Sequence, residues 1–523
     1  MGFKRAGAAL ALVFALVFGL CVAGDASAQA HCEHLGAQAV AAERQGRPFW
    51  FRTYKKRRLV ALVLAECAYR PEAERALATA IDDRRFARLS VQDRYATLSA
   101  AATNAWQLQH YPQARDLYRR VVALSPDEAD DWYRLSVLER VQGDHAASAR
   151  AMIHVIEHWP ELLDQVQDQS IFALIHRLEP RAQVRLDLLQ ALYDANWQRK
   201  GQGADTAWYE LALMRVDRGE ADAARAAIRR ISASRELILL RADRRFDGWV
   251  DRRAMAFDVN NAALREVERQ RTLLAARPDS LQLHTQLSRA LLMLGRSEEA
   301  LALCDDALKA IADAPADRPP YADDAEYRVW LMNNRAIALR RLGRLDEALQ
   351  ELRRSSERRE GDSVNVSQVL NLGDYYASLG RSDEALATVT AVGTDINGYG
   401  RMVQALVELR AQSQRGDAAQ VARALAYLRE HRQEGGLLLL EGLLQAGRMD
   451  EAEQVLLALL ASASERADAL YWLQRFHEAD ALPGDRGRRA RKTELIARER
   501  VQSAIAQVGR IESYGIHATN EMD

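Results

Sequence analysis

Residues 114–160 read ARDLYRRVVALSPDEADDWYRLSVLERVQGDHAASARAMIHVIEHWP, and the second part answers the first. Ala114, Tyr118, Val121 and Pro126 are followed 34 residues later by Ser148, Met152, Val155 and Pro160. Leu98 and Ala101 stand at the same offset before Trp132 and Leu135. Apolar residues fall three and four apart within each copy, a helical period and not a strand period. Pro126 and Pro160 end one helix and set the next start. A lone helix hairpin cannot bury its apolar face, so a fixed period of this length predicts stacking. The predicted fold class is all-α, an α/α superhelical solenoid of antiparallel helix hairpins.

Further copies extend the pattern. The unit from Asp205 supplies Trp208, Leu211, Ala212, Gly219, Ala224 and Ile231, and the unit from Leu281 supplies Leu287, Ser288, Gly295, Ala300 and Ala307. Ala336, Gly343 and Ala348 follow, then Leu372, Gly373, Gly380 and Ala385, then Leu439, Leu440, Gly447 and Ala452. Small residues at the eighth and twentieth places let two helices cross closely. Glycine at the fifteenth tolerates the left-handed turn between them. Acids soon after it, such as Asp346-Glu347 and Asp383-Glu384, suit the electropositive start of the second helix. In these positions the chain resembles the tetratricopeptide repeat family, over roughly residues 95–460, and in particular an exported bacterial member. The stretches 161–200, 245–279 and 402–432 keep the helical period but wear the signature thin. Phe246-Asp247-Gly248-Trp249 reads as a turn between helices.

The organisation read from the sequence has six parts. Residues 1–30 form a secretory leader: Lys4 and Arg5, an apolar run over 8–23, then Ala28-Gln29-Ala30 before a cleavage point that makes His31 the new terminus. Residues 31–94 form an N-terminal helical region with possible capping repeats, and 95–312 a run of units with degenerate members. Residues 313–320 (DAPADRPP) form a loop, and 321–480 continue the units. Residues 481–523 hold a basic loop, a C-terminal helix and a fraying tail.

Lys4, Arg5 and Asp25 leave with the leader, so the remainder carries 70 Lys+Arg against 72 Asp+Glu, a net charge of −2. Dense charge of both signs near neutrality describes solvated helix faces and gives no general reason to bind nucleic acid. No second apolar stretch is long enough to span a membrane. The expected location is the periplasm or outside the cell, where an odd count of Cys32, Cys67 and Cys304 leaves at least one thiol unpaired. A Cys32–Cys67 bridge would staple the first helix pair, and Cys304 reads as a small buried residue.

Signatures of chemistry are missing: there is no phosphate loop, dinucleotide fingerprint or nucleophile elbow. Neighbouring acids such as Asp305-Asp306 and Asp323-Asp324 diverge on a helix and do not form a catalytic pair. His154 and His158 share a helical face, but Glu157 is misplaced for a zinc-protease motif. His31-Cys32-Glu33-His34 could chelate copper at the mature terminus, yet lacks the sandwich such oxygenases need. No cofactor, metal or catalytic residue is assigned. The basic run Lys55-Lys56-Arg57-Arg58, near Phe49, Trp50 and Tyr54, reads as a solvated face. The later Arg486, Arg488, Arg489, Arg491 and Lys492 read as a soluble loop.

The resemblance implies a concave wall of first helices that binds extended peptides through unit positions 2, 5, 6, 9, 12 and 13. Carried over residue by residue, these are Tyr133 and Arg140, Tyr209, Asn333, Asn334, Arg340 and Arg341, then Asn371 and Asp374. Asn334 and Asn371 both occupy position 6, where an amide can pair with a ligand's backbone. The full basic set that clamps a carboxyl terminus is absent at positions 2 and 6. Trp132 and Trp208 fall at packing positions. The implied function is an exported protein-interaction scaffold, with a protein or peptide partner, an envelope glycan as another ligand, and a role in envelope assembly or polysaccharide export. A helical glycan-processing enzyme is the alternative; it would close into a toroid with paired acids at its centre.

Overall fold

The computed structural model describes residues 32, 40, 53–198, 203–315, 317–359 and 363–518. The leader, His31, His34, Phe49 and Trp50 lie outside them. Contacts divide the chain into Met1–Gln202 and Gly203–Asp523, a division that falls inside the stretch read as one run of repeats.

The first unit contains helices α1 (Tyr54–Glu66), α2 (Arg70–Asp82), α3 (Val91–Gln107), α4 (Tyr111–Leu124), α5 (Ala129–Val141), α6 (His145–His158), α7 (Asp168–Arg177) and α8 (Gln183–Asp194). Consecutive helices pair as hairpins, α1 with α2, α3 with α4 and α5 with α6. The α5–α6 crossing is close because Ser136 is small, and its hydroxyl donates to the Ser148 carbonyl at 3.0 Å. Cys32 and Cys67 are joined by a disulfide, with Cα atoms 5.2 Å apart.

The second unit contains α9 (Asp205–Asp217), α10 (Ala221–Ile228), α11 (Ser234–Ala242), α12 (Val259–Ala276), α13 (Leu281–Met293), α14 (Ser297–Asp313), α15 (Asp324–Arg341), α16 (Leu345–Ser356), α17 (Val366–Ser378), α18 (Ser382–Thr390), α19 (Gly398–Arg415), α20 (Ala418–Glu430), α21 (Gly436–Gln445), α22 (Met449–Ala461), α23 (Arg466–Trp472), α24 (Arg486–Ala497) and α25 (Glu499–Val508). Adjacent helices pair antiparallel, and extended pairing is confined to isolated bridges, such as those of Asp243 with Gly509 and Arg475 with Ser513, among the described residues.

The turn glycines do what their position requires: Gly143, Gly219, Gly295, Gly343, Gly380, Gly416 and Gly447 all have φ between 69° and 82°. Gln109, at the same place in the first unit, takes φ 62° without being glycine. Phe246 ends a short 3₁₀ helix (Arg244–Phe246) and Asp247, Gly248 and Trp249 continue as a turn between α11 and α12. Asp313, read as the start of a loop, is the last residue of α14, and further on Asp323 caps α13 by accepting from the Leu281 and Gln282 amides at 2.8 and 3.0 Å.

Ala300, Ala336 and Ala348 are all fully enclosed in one core cluster with Leu339, Leu352 and Tyr375. Ala300→Leu or Ala348→Leu is therefore expected to lower unfolding free energy by about 1–3 kcal/mol through overpacking. Arg296→Leu, which removes only an exposed contact to Glu299, should change it by well under that. Urea denaturation of the three variants checks this, and equal small effects would mean that the repeat register is misplaced.

The end of the chain departs from expectation. Residues 486–492 are not a loop but the first half of α24, and 512–518 do not fray. Tyr514, Ile516 and His517 are each under a tenth exposed. The cause is long-range: Arg488 and Arg491 of α24 find acceptors on an earlier repeat, and the tail finds backbone partners.

Candidate interaction surface

In the second unit α13, α15, α17, α19 and α21 are the first helices of successive hairpins, and their turn-proximal ends lie under the segment 475–518. The Gly484 amide donates to the Ser378 carbonyl at the end of α17 (2.8 Å), and His517 N donates to Met293 O at the end of α13 (2.8 Å). Arg340 Nη2 donates to Asp480 O at 2.9 Å. Arg491 Nη1 donates to Leu444 O and Gln445 O at the end of α21 (2.8 and 3.0 Å). Helix C-termini leave carbonyls unsatisfied and carry partial negative charge, so cationic and amide donors suit them. Leu482 enters the apolar core with Tyr375, Ala377 and Ala411.

Charge fixes the same segment. Arg410 on α19 pairs with both Asp374 and Asp485, with Asp485 almost wholly enclosed. Arg488 meets Glu441 at 2.8 Å, and Lys492 lies 4.2 Å from the Trp472 ring centroid. Burial would raise the Glu441 carboxyl, but Arg488 and Lys492 hold it below the usual carboxylate range. The chain then returns to the unit's beginning: Arg510 N donates to Ala242 O at 3.0 Å, Arg241 meets Glu512 at 2.7 Å, and Arg235 meets Asp468 at 2.8 Å.

The predicted binding residues are therefore distributed in three ways. In the second unit, those at positions 9, 12 and 13, namely Asp374, Arg340 and Arg341, are committed within the chain; Arg341 donates to Leu292 O at 2.6 Å. Asn334 is corrected to a structural amide, because its Nδ2 donates to Thr285 O (3.0 Å) and Ser288 Oγ (2.8 Å) and only 7% of it is exposed. Tyr209 is corrected to core: it is enclosed against Phe246, their centroids 5.7 Å apart, and burial pushes its phenol far above the ordinary range. Asn333 and Asn371 remain half-buried and hydrogen-bonded to each other at 3.0 Å. Tyr133 and Arg140 lie half-buried on α5 of the first unit.

What stays open is the other half of the wall. Trp330, at position 2 of the unit that holds Asn333, is 43% exposed and was missed in reading the sequence, although the register already placed it there. Positions 2, 5 and 6 of the last unit, Glu434, Leu437 and Leu438, line a cavity of about 510 Å³ with Tyr399, Trp472 and Phe476. The acids around it are each matched by a base: Glu434 by His431, Asp468 by Arg235, Glu465 by Arg432 and Glu478 by Arg489. That is unlike the pair of free carboxylates a glycosidase needs.

The other candidates resolve locally. Arg57 and Arg58 are paired with Asp83 and Asp93 at 3.4 and 2.6 Å, leaving Lys55 and Lys56 exposed. His154 stacks on His158 and lies 4.1 Å from the Trp132 ring centroid, and Trp208 is buried. Asp305 pairs with Arg335. Cys304 is buried, and burial pushes its thiol up to about 12. No group of three or more His, Cys, Asp or Glu placed to hold a metal occurs among the described residues, and none of their helices is long and apolar enough to cross a membrane.

Hairpins of paired helices presenting a wall of first helices define a repeat scaffold. The tetratricopeptide repeat family profile matches residues 99–152 of the first unit and 262–315 and 333–393 of the second, which supports homology to that family over those segments. Tetratricopeptide repeats form a non-catalytic, protein-binding fold. No curated protein matches the chain. Among solved structures, that of the yeast Tom70 is similar at 11% identity, covering 87% of this chain and 99% of that one, with a TM-score of 0.30. The APC/C hetero-tetramer Cut9–Hcn1 gives 12%, 87%, 80% and 0.31. The P58(IPK) TPR domain gives 12%, 87%, 98% and 0.18.

Proposed function

We propose that this chain is an exported interaction scaffold that binds a protein or peptide on the open half of the second unit's wall, centred on Trp330, Asn333 and Asn371. The observation that carries this reading is the exposure of Trp330 beside two half-buried amides, on a wall whose other half is occupied by residues 475–518. A solvent-facing Trp supplies apolar area and an indole donor, a combination enriched where protein partners anchor. The amides can trade their mutual hydrogen bond for pairing with an extended backbone. Crosslinking and pull-down from the envelope fraction tests this with Trp330→Ala/Asn371→Ala beside the wild type. The variant should stay folded and lose partners, weakening binding by about 2–4 kcal/mol at an anchoring aromatic. An unchanged partner set would remove the assignment.

Export rests on the leader pattern of residues 1–30 together with a Cys32–Cys67 bridge that suits an oxidising compartment. A role in envelope assembly or polysaccharide export extends the same reading. Mass spectrometry of the protein from cells should find His31 at its terminus; an intact Met1 in a soluble pool would overturn the compartment.

A further inference from the structure

We propose that the cleft between α14, α15 and the end of α16 is a binding site for a small anionic amphiphile, of the class of medium-chain carboxylates. It is a separate site from the wall of first helices. The cleft measures about 570 Å³, a size suited to a small organic ligand rather than a bare ion. Leu308 and Ile311 on α14 and Met332 on α15 form an apolar floor. Arg328, Arg354, Arg358 and Arg359 surround it, against one carboxylate, Glu357, in the lining.

The cations are not equally satisfied. Arg328 is paired with Asp324, and Arg354 reaches Glu351 at 3.2 Å while remaining 62% exposed. Among the described residues no carboxylate lies within ion-pair distance of Arg358. Burial, and next the neighbouring Arg328 charge, depress its guanidinium below the ordinary value. Crowded like charges over an apolar floor, half-buried at Leu308 and Ile311 and buried at Met332, are relieved by a ligand with an oxyanion at one end and hydrocarbon at the other. The guanidinium fork donates two parallel hydrogen bonds to a carboxylate, and the tail covers what Leu308 and Ile311 leave exposed.

Calorimetric titration of octanoate, octanol and acetate into the full-length protein separates the contributions. Octanoate is expected to bind at least about tenfold more tightly than either of the others. Arg354→Gln/Arg358→Gln should weaken octanoate by about tenfold or more while the thermal midpoint holds. Should the double variant unfold, Arg354→Gln alone, at an exposed side chain, still has to weaken binding. Octanol binding as well as octanoate would reduce the cleft to an apolar patch, and acetate binding as well would reduce it to an anion site. Either result, or an unchanged affinity in the folded variants, overturns the proposal.

Discussion

Asp485→Ala is expected to destabilise the second unit by about 3–5 kcal/mol, the range for removing one partner of a buried ion pair. Its carboxylate is almost fully enclosed and faces Arg410, itself only 5% exposed. Without it the guanidinium keeps the Ser378 hydroxyl, at 2.8 Å, and Asp374, whose side chain is 36% exposed and partly screened by water. Next to it, a Cβ on Gly484 would fall 2.1 Å from the Ala377 carbonyl oxygen and 3.0 Å from that of Ser378. Neither oxygen is the end of a flexible side chain, so Gly484→Ala has to lift residues 480–485 from the wall and should be of similar severity. Arg410→Met/Asp485→Leu, which removes both charges and leaves apolar bulk, should cost much less than Asp485→Ala. Urea denaturation compares them, with amide exchange at Gly484 reporting whether the segment has lifted. Near-neutral single variants would show that it lies on the wall without stabilising it.

The repeat register was legible because each of its signals is local. Gly343 needs its left-handed turn regardless of the rest of the chain, and Ala336 and Ala348 are small because their own two helices cross there. The fate of the wall was not legible, because it is decided by residues far away in sequence. Asn334 occupies a position that could serve a ligand, but its acceptors are Thr285 and Ser288, 46 to 49 residues earlier. Arg488 and Arg491 look like solubilising charges until Glu441 and the α21 carbonyls are set against them, about 47 residues away. Composition alone cannot distinguish an arginine that faces water from one that caps a helix. Trp330 could have been found: counting back from Ala336 as position 8 makes it position 2, and a tryptophan on a solvent-facing position is the anomaly to follow.

The closing segment should also be sensitive to acid through His517. Its ring is 6% exposed and meets His477 edge-on at 4.8 Å between centroids. Its own amide is tied to the Met293 carbonyl, at the end of the helix preceding Gly295. Burial first, then the positive Arg341 and the neighbouring His477 ring, push the imidazole down to about 4 from an ordinary 6.5. The folded state therefore resists a proton that the unfolded chain accepts. Stability from this group is full above pH 6.5, falls as the pH drops from 6.5 towards 4, and levels off below 4. A shift of this size corresponds to about 3 kcal/mol at most. Buried acids such as Glu236 and Glu351, held above their usual range by burial, act in the opposite direction over part of this window. The informative quantity is consequently the difference between the wild type and His517→Gln, in which those groups cancel. Urea midpoints measured from pH 7 to pH 4 should fall more steeply for the wild type, with the gap opening below 6.5. Parallel curves would mean that the ring finds water or a carboxylate on protonation, and that acid leaves the segment in place.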